Sequence, residues 1–236
     1  MQRPFSDREG RNGMLEAREL WKHYRKRMIL AGVSLKTAPG RCIGIAGGNG
    51  CGKTTLLSIL AGVRRPDRGK ILLDGEEALG NRRLFERRVA YVPQENPLIL
   101  ELSARDNYRL WFRGDTAAMK EDLARGVGRA LGLDAFLDTP AGRLSGGEKK
   151  RLSIAAALSG RAPVLILDEP GAALDLAAKE EILSYLKEYL KAGGSVILTS
   201  HEMAELAICT ELYVLREGTL HPAPAGLSAG ELIRQF

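Results

Sequence analysis

The chain is patterned in short apolar runs separated by Gly-rich breaks and amphipathic stretches. Residues 41–46 are apolar and end at such a break, which predicts a strand, and residues 54–60 after it read as a helix. Residues 71–73 and 89–92 read as further strands. Residues 102–136 carry the densest helix-like pattern, with Gly and Pro around them. Residues 164–167 form another buried-strand run, followed by a helix at 177–190 whose apolar positions Ile182, Leu183, Leu186, Tyr189 and Leu190 recur at helical spacing. A strand at 195–199, a short helix after His201, a strand at 212–215 and a turn at Glu217-Gly218 complete the series. Strands alternating with helices predict an α/β protein with a mainly parallel sheet covered on both faces. Ahead of this, residues 1–13 read as a flexible leader. Patterned sequence starts at Met14, and the basic cluster Arg25-Lys26-Arg27 precedes an apolar stretch at 28–35.

Composition narrows the class. At 236 residues and 44% apolar content the chain suits one domain, or one domain with a built-in subdomain, and global disorder is not expected. No apolar run approaches the roughly 18–20 residues that a spanning helix needs, and the polar start lacks the apolar middle of a secretory signal. The chain is therefore expected in the cytosol. Cys42, Cys51 and Cys209 are too few and too scattered for a disulfide framework or a zinc ligand set, and three histidines lead to the same reading. The net charge of +6 fits nucleic acid or an anionic membrane surface, but it fits solvated Lys/Arg faces better.

The most specific motif is Gly47-Gly48-Asn49-Gly50-Cys51-Gly52-Lys53-Thr54, which fits G-x-x-x-x-G-K-[ST] between a predicted strand and a predicted helix. The glycines let successive backbone N–H groups turn inward on phosphate oxygens, and the helix directs its positive dipole end at the same anion. Lys53 would reach the β- and γ-phosphates and the Thr54 hydroxyl would hold Mg²⁺, with Thr55 beside it in the nucleotide-binding set. Cys51 reads as a loop residue, with a reactive thiol as the alternative. A second motif is Val164-Leu165-Ile166-Leu167-Asp168-Glu169, an apolar strand ending in two acids. Strand C-termini are where ligands bind in such sheets. Asp168 suits an Mg²⁺ shell, and Glu169 suits a general base that polarises the attacking water.

With Leu144-Ser145-Gly146-Gly147-Glu148 between them, these two motifs resemble the nucleotide-binding cassette of ABC transporters, over about residues 15–220. Alone, Ser-Gly-Gly-Glu is usually a helix cap; its place about 20 residues before Asp168 makes it look like the family's signature motif. Glu148 departs from the common Gln, a difference that bears on hydrogen bonding. The resemblance implies that Ser145, Gly146, Gly147 and Glu148 bind the γ-phosphate of a nucleotide held by a partner subunit. It implies that Tyr24 stacks on adenine, with Trp21 and His23 as nearby alternatives. It implies that Gln94 senses Mg²⁺ and the attacking water and couples to a membrane partner. Residues 171–175 resemble the loop that crosses the dimer interface in the family, with Asp175 its last member, a position that also suits a helix N-cap. His201 resembles the switch histidine at the γ-phosphate, whereas His23 and His221 read as surface residues. Leu227-Ser228-Ala229-Gly230-Glu231 echoes the signature but has Ala229 for the first glycine and lacks the basic run after it, and reads as coincidence.

The implied fold is α/β, a P-loop NTPase core with a mainly parallel sheet, an N-terminal antiparallel β part and an inserted helical subdomain at about 95–145. One ATPase domain would cover 14–225, and 226–236 would be a short tail. The implied function is an ATP-binding and ATP-hydrolysing subunit that uses Mg²⁺. It would close as a head-to-tail dimer on two ATP molecules, as homodimer or heterodimer, and power transport through a separate transmembrane permease from the inner face of the membrane. The alternative is an ABC ATPase acting on nucleic acid or ribosomes, which the absence of long coiled-coil insertions or a second cassette disfavours; no direct nucleic-acid contact is expected. A P-loop kinase would have no use for residues 144–148. The short stretch after His201 leans toward exporters or small importers.

Overall fold

The computed structural model describes residues 14–224 and 230–231. The proposed leader, and all of the tail and signature echo except Gly230 and Glu231, lie outside the described residues. Two sheets organise the rest. The first is antiparallel, in the order β2-β1-β4-β5, from β1 (Leu15–Tyr24), β2 (Arg27–Lys36), β4 (Arg68–Leu73) and β5 (Glu76–Glu77). The predicted strand at 71–73 is thus the C-terminal half of β4 and belongs to this sheet. The second sheet has the order β10-β9-β3-β8-β7-β6. It is built from β3 (Cys42–Ala46), β6 (Val89–Val92), β7 (Val164–Asp168), β8 (Ser195–Thr199) and β9 (Glu211–Arg216), all parallel, with β10 (Thr219–Ala223) antiparallel at its edge. The turn expected at Glu217-Gly218 closes the β9–β10 hairpin with both residues at positive φ.

The central strands carry the logic of the core. Every residue of β3, β7 and β8 is buried, as expected for strands covered on both faces. Successive side chains alternate between the faces. Val164 and Ile166 join Ile43, Ile45 and Ile197 against α1 (Lys53–Leu60) and the antiparallel sheet. Leu165 and Leu167 join Val196 and Leu198 on the other face, against α6 (Gly146–Leu158) and α7 (Leu176–Lys191). Burying one such Leu or Ile side chain stabilises the fold by roughly 1.5–3 kcal/mol.

Between β6 and α6 lies an inserted helical part: α3 (Ala104–Trp111), α4 (Thr116–Arg125), α5 (Val127–Ala130) and short 3-10 turns at Leu133–Ala135 and Ala141–Arg143. Its helices start where the sequence tells them to. Ser103 caps α3 through Asp106 N, and Asp115 caps α4 through Ala118 N. Tyr108 is fully buried, and its hydroxyl donates to Asp122 Oδ2 at 2.5 Å, tying α3 to α4. Burial and the Asp122 carboxylate hold that phenol well above its ordinary pKa. The remaining helices are α2 (Arg82–Arg88), before β6, and α8 (Met203–Leu206), after β8. Among the described residues no helix is long and apolar enough to cross a membrane.

Candidate nucleotide site

Four of the five parallel strands, β3, β6, β7 and β8, each end in a predicted residue at one edge of the sheet. β3 runs into the glycine loop, β6 into Pro93-Gln94, β7 into Asp168-Glu169 and β8 into Ser200-His201. A cleft of about 470 Å³ opens at this edge, lined by Ile29, Asn49, Gly50, Gly52, Lys53, Thr54, Thr55, Gln94 and Glu169.

The glycine loop is shaped by positive φ and by lack of room. Gly47 and Gly52 stand at φ 152° and 115°; a Cβ on Gly47 would lie 2.6 Å from Leu215 O, and one on Gly52 2.8 Å from Ile29 Cγ2. Gly52 also occupies the N-cap of α1, so no side chain caps that helix, and its first turn holds no acidic residue. The first-turn amides of a helix have no intrahelical acceptor. Here they face the cleft under the positive end of the helix dipole, an arrangement suited to an anion. Lys53 is buried beneath the loop; its Nζ donates to Gly47 O at 2.7 Å and Gly48 O at 3.4 Å. The Cys51 N–H donates to Gly48 O, which places Cys51 within the turn of the loop, as expected.

A chain of polar contacts runs outward from Lys53. Lys53 Nζ lies 3.0 Å from His201 Nε2 and 3.9 Å from Glu169 Oε1. The same His201 nitrogen lies 3.3 Å from Glu169 Oε1, so the imidazole can accept from the ammonium or donate to the carboxylate, according to tautomer. Gln94 Nε2 donates to Glu169 Oε2 at 3.2 Å. Glu169 sits at φ 46°, a left-handed backbone costing on the order of 1 kcal/mol or more for a residue with a Cβ. Its N–H is held at 3.1 Å by both the carbonyl and the hydroxyl of Thr199. Thr199 Oγ1 also donates to Asp168 Oδ1 at 2.6 Å, while buried Asp168 Oδ2 has no hydrogen-bond partner among the described residues. An uncompensated buried carboxylate oxygen is costly. With the exposed Thr54 hydroxyl and the Gln94 amide oxygen at the same edge, the donor set is all hard oxygen, which fits Mg²⁺.

Other predicted residues stand outside this cluster. Ser145, Gly146, Gly147 and Glu148 form the N-terminus of α6 and do not line the cleft. They make a complete capping box, with Glu148 N donating to Ser145 Oγ at 3.2 Å and Ser145 N donating to Glu148 Oε2 at 2.8 Å. The carboxylate of Glu148 thus accepts from the cap amide. Gly147 is packed so closely on α7 that an added Cβ would meet Ala178 Cβ at 2.5 Å. Asp175 caps α7 through Ala178 N at 2.8 Å. Gly171, at the start of that loop, donates its N–H to buried Glu205, whose pKa burial raises.

Tyr24 ends β1 at the hairpin, 40% exposed, and its hydroxyl accepts from Arg64 at 2.7 Å. Its cross-strand partner Arg27 reaches Gly50 O at 3.3 Å, which ties the hairpin to the glycine loop. Trp21 and His23 instead line a second concavity of about 510 Å³, with Met28, Asp67 and Arg68. That hollow is slightly larger than the cleft, but it lies on the antiparallel sheet and contains none of the glycine-loop residues, so the chemistry points to the smaller one. His221 is exposed beside Thr219 Oγ1.

Sequence reasoning missed Thr199, Arg27 and Lys150. Lys150 is 2% exposed on α6, and its Nζ donates to Pro93 O at 3.2 Å and Gln94 O at 3.1 Å. Burial pulls its pKa down to about 8, against the opposing pull of Asp168 and Glu205. No signal marks it, because it stands in a basic run that reads as solvated surface. Cys42 and Cys209, far apart in sequence, lie with their sulfurs 3.4 Å apart as free thiols. The contact with Cys209 and burial push the Cys42 thiol up.

Comparison with known proteins agrees with this geometry. Residues 30–172 match the model of the ABC transporter family. The Nod factor export ATP-binding protein I of Paraburkholderia xenovorans (strain LB400) is 36% identical over 223 residues, spanning 92% of this chain and 73% of that one. The cytochrome c biogenesis ATP-binding export protein CcmA 1 of Salmonella paratyphi A (strain ATCC 9150 / SARB42) is 35% identical over 189 residues, spanning 80% of this chain and 90% of that one. A solved ATP-binding subunit of an ABC transporter superposes with a TM-score of 0.82 at 25% identity, covering 94% of this chain and 98% of that one. A glycine loop on an uncapped helix, two acids and a histidine at neighbouring strand ends, and these matches together make the chain a member of the ABC transporter ATP-binding family, an ATP-binding cassette ATPase.

Proposed function

We propose that this ATPase powers transport of a substrate across a membrane through a separate transmembrane permease, docked at the inner face of the membrane. Two ATPase subunits would close head to tail on two Mg-ATP. The observation that carries this is the division of the chain's own groups. Lys53, Gln94, Asp168, Glu169 and His201 gather at one cleft, while the Ser145–Gly147 turn stands outside it with its helix N-terminus exposed. A second subunit would bring that turn to the γ-phosphate and complete the site. The exporter names of the relatives favour outward transport.

In this reading the loop amides and Lys53 bind the phosphates, and Tyr24 stacks on adenine. Glu169 takes the proton of the attacking water, Gln94 orients that water and the Glu169 carboxylate, and His201 contacts the γ-phosphate. Asp175 lies at the subunit interface. Thr54, Asp168 and Gln94 would hold Mg²⁺, which supplies charge neutralisation on the phosphate oxygens. ATP would favour the closed pair by its differential affinity for that state, and this is the free energy available to a partner.

Gly146→Asp tests the composite site. A carboxylate in the first turn suits the dipole of α6, and the added Cβ meets only the tip of the Leu174 side chain closely, Cδ2 at 3.2 Å, which a shift of a few tenths of an ångström relieves, so the fold should persist. The same charge would repel an incoming phosphate. The expected result is unchanged ATP affinity in single subunits with ATP-dependent dimerisation lost, read by calorimetry and light scattering. A variant that still dimerises with ATP at the wild-type concentration contradicts the composite site.

A further inference from the structure

Lys150 is a buried ammonium with no part in the scheme above. It projects from α6, the helix whose N-terminus is the Ser145–Gly147 turn, and it binds the backbone of the Gln94 loop from beneath. The side chain of that same Gln94 holds Glu169. A continuous path therefore runs from the α6 N-terminus along a rigid helix to Lys150, through two carbonyls to Gln94, and on to the Glu169 carboxylate.

The path is stiff for physical reasons. An α-helix transmits displacement along its axis with little give, and residues 145 and 150 are less than two turns apart. A buried ammonium keeps its acceptors, because losing them leaves an uncompensated charge out of water. Asp168 and Glu205 face the Lys150 charge from the ends of β7 and from α8 and favour it. A shift of α6 therefore carries the Gln94 loop with it rather than sliding past.

We propose that Lys150 is a positioning residue that sets Gln94 against Glu169 and so makes hydrolysis at one cleft depend on the position of the α6 N-terminus. The inference rests on the reading of Glu169 and Gln94 given above. If the Ser145–Gly147 turn binds the nucleotide of the opposite subunit, Lys150 tells each site whether the other is filled.

Two measurements on the full chain test this. In the nucleotide-free protein, hydrogen exchange in the segment 94–98 should quicken about tenfold in Lys150→Met and stay near wild type in Lys150→Arg, whose guanidinium can donate to both carbonyls. With Mg-ATP, Lys150→Met should lower kcat about tenfold while KM stays within about twofold, and Lys150→Arg should recover most of the loss. Adding Lys150→Met to Gln94→Ala should lower kcat no further, because both changes cut one path. Additive losses in that cycle, or a raised KM with unchanged kcat, would overturn the proposal. Wild-type activity in Gln94→Ala would overturn the reading of Gln94 and this link with it, whereas a slow Gln94→Ala with additive Lys150→Met overturns the link alone. Should Lys150→Met fail to fold, Lys150→Gln, which keeps an N–H donor group but no charge, carries the same cycle.

Discussion

Glu169→Gln is expected to bind ATP and stop before hydrolysis. The carboxylate is held in one place by three neighbours: Gln94 at 3.2 Å, His201 at 3.3 Å and Lys53 at 3.9 Å. Its backbone is pinned in a left-handed conformation by Thr199. The amide keeps the shape of this side chain and most of its contacts, but it cannot accept a proton. Losing a positioned general base costs about 10²–10⁴ in rate. Single-turnover hydrolysis should fall by at least about a hundredfold, with ATP affinity changed by only a few-fold, because phosphate binding is assigned to the glycine loop and Lys53. Stalled on ATP, the variant should accumulate as a dimer in light scattering. Turnover near the wild-type rate would remove Glu169 as the base.

Lys53→Ala should act on the other term, affinity. Lys53 is the buried cation of the glycine loop, donating to both Gly47 O and Gly48 O. Hydrogen bonds to charged partners contribute roughly 1.5–3 kcal/mol net, which is about a 10- to 150-fold loss of ATP affinity on truncation. Titration calorimetry at fixed Mg²⁺ reads this directly, and unchanged affinity would take Lys53 out of the site. Together the two variants separate binding from chemistry: one should lose affinity, the other should keep it and lose turnover.

Much of this arrangement was legible in the sequence because it is local. The run Val164-Leu165-Ile166-Leu167 is apolar on both faces, as only a strand between two layers needs to be, and it is buried throughout in β7. The predicted helix at 177–190 differs from α7 by one residue at each end, since Asp175 caps it and its apolar spacing runs to Leu190. The glycine loop was readable for the same reason: its eight positions are contiguous and its flanks set its context.

What was not legible depends on contacts distant in sequence. α2 has five charged residues in seven, so periodicity does not mark it; the Asn81 cap and the burial of Leu84 and Phe85 hold it in place. Residues 71–73 look like any short apolar strand, and nothing local assigns them to the antiparallel sheet rather than the parallel one. Lys150 sits in Glu148-Lys149-Lys150-Arg151, where composition points to solvent, yet the close approach of the Gln94 loop buries it. The Cys42–Cys209 contact forms because β3 and the start of β9 are neighbours in the sheet, a consequence of strand order alone.

The central claim, that this ATPase drives a membrane partner, is tested most directly by what the stalled protein holds. A tagged Glu169→Gln chain would be expressed in its own host, its membranes gently solubilised with ATP and Mg²⁺ present, and the tag recovered with whatever binds it in fixed proportion. The account predicts a multi-span membrane protein in stoichiometric amount, whose retention falls when the Lys53→Ala change is added. Recovery of ribosomes, nucleic acid or soluble proteins alone would contradict it.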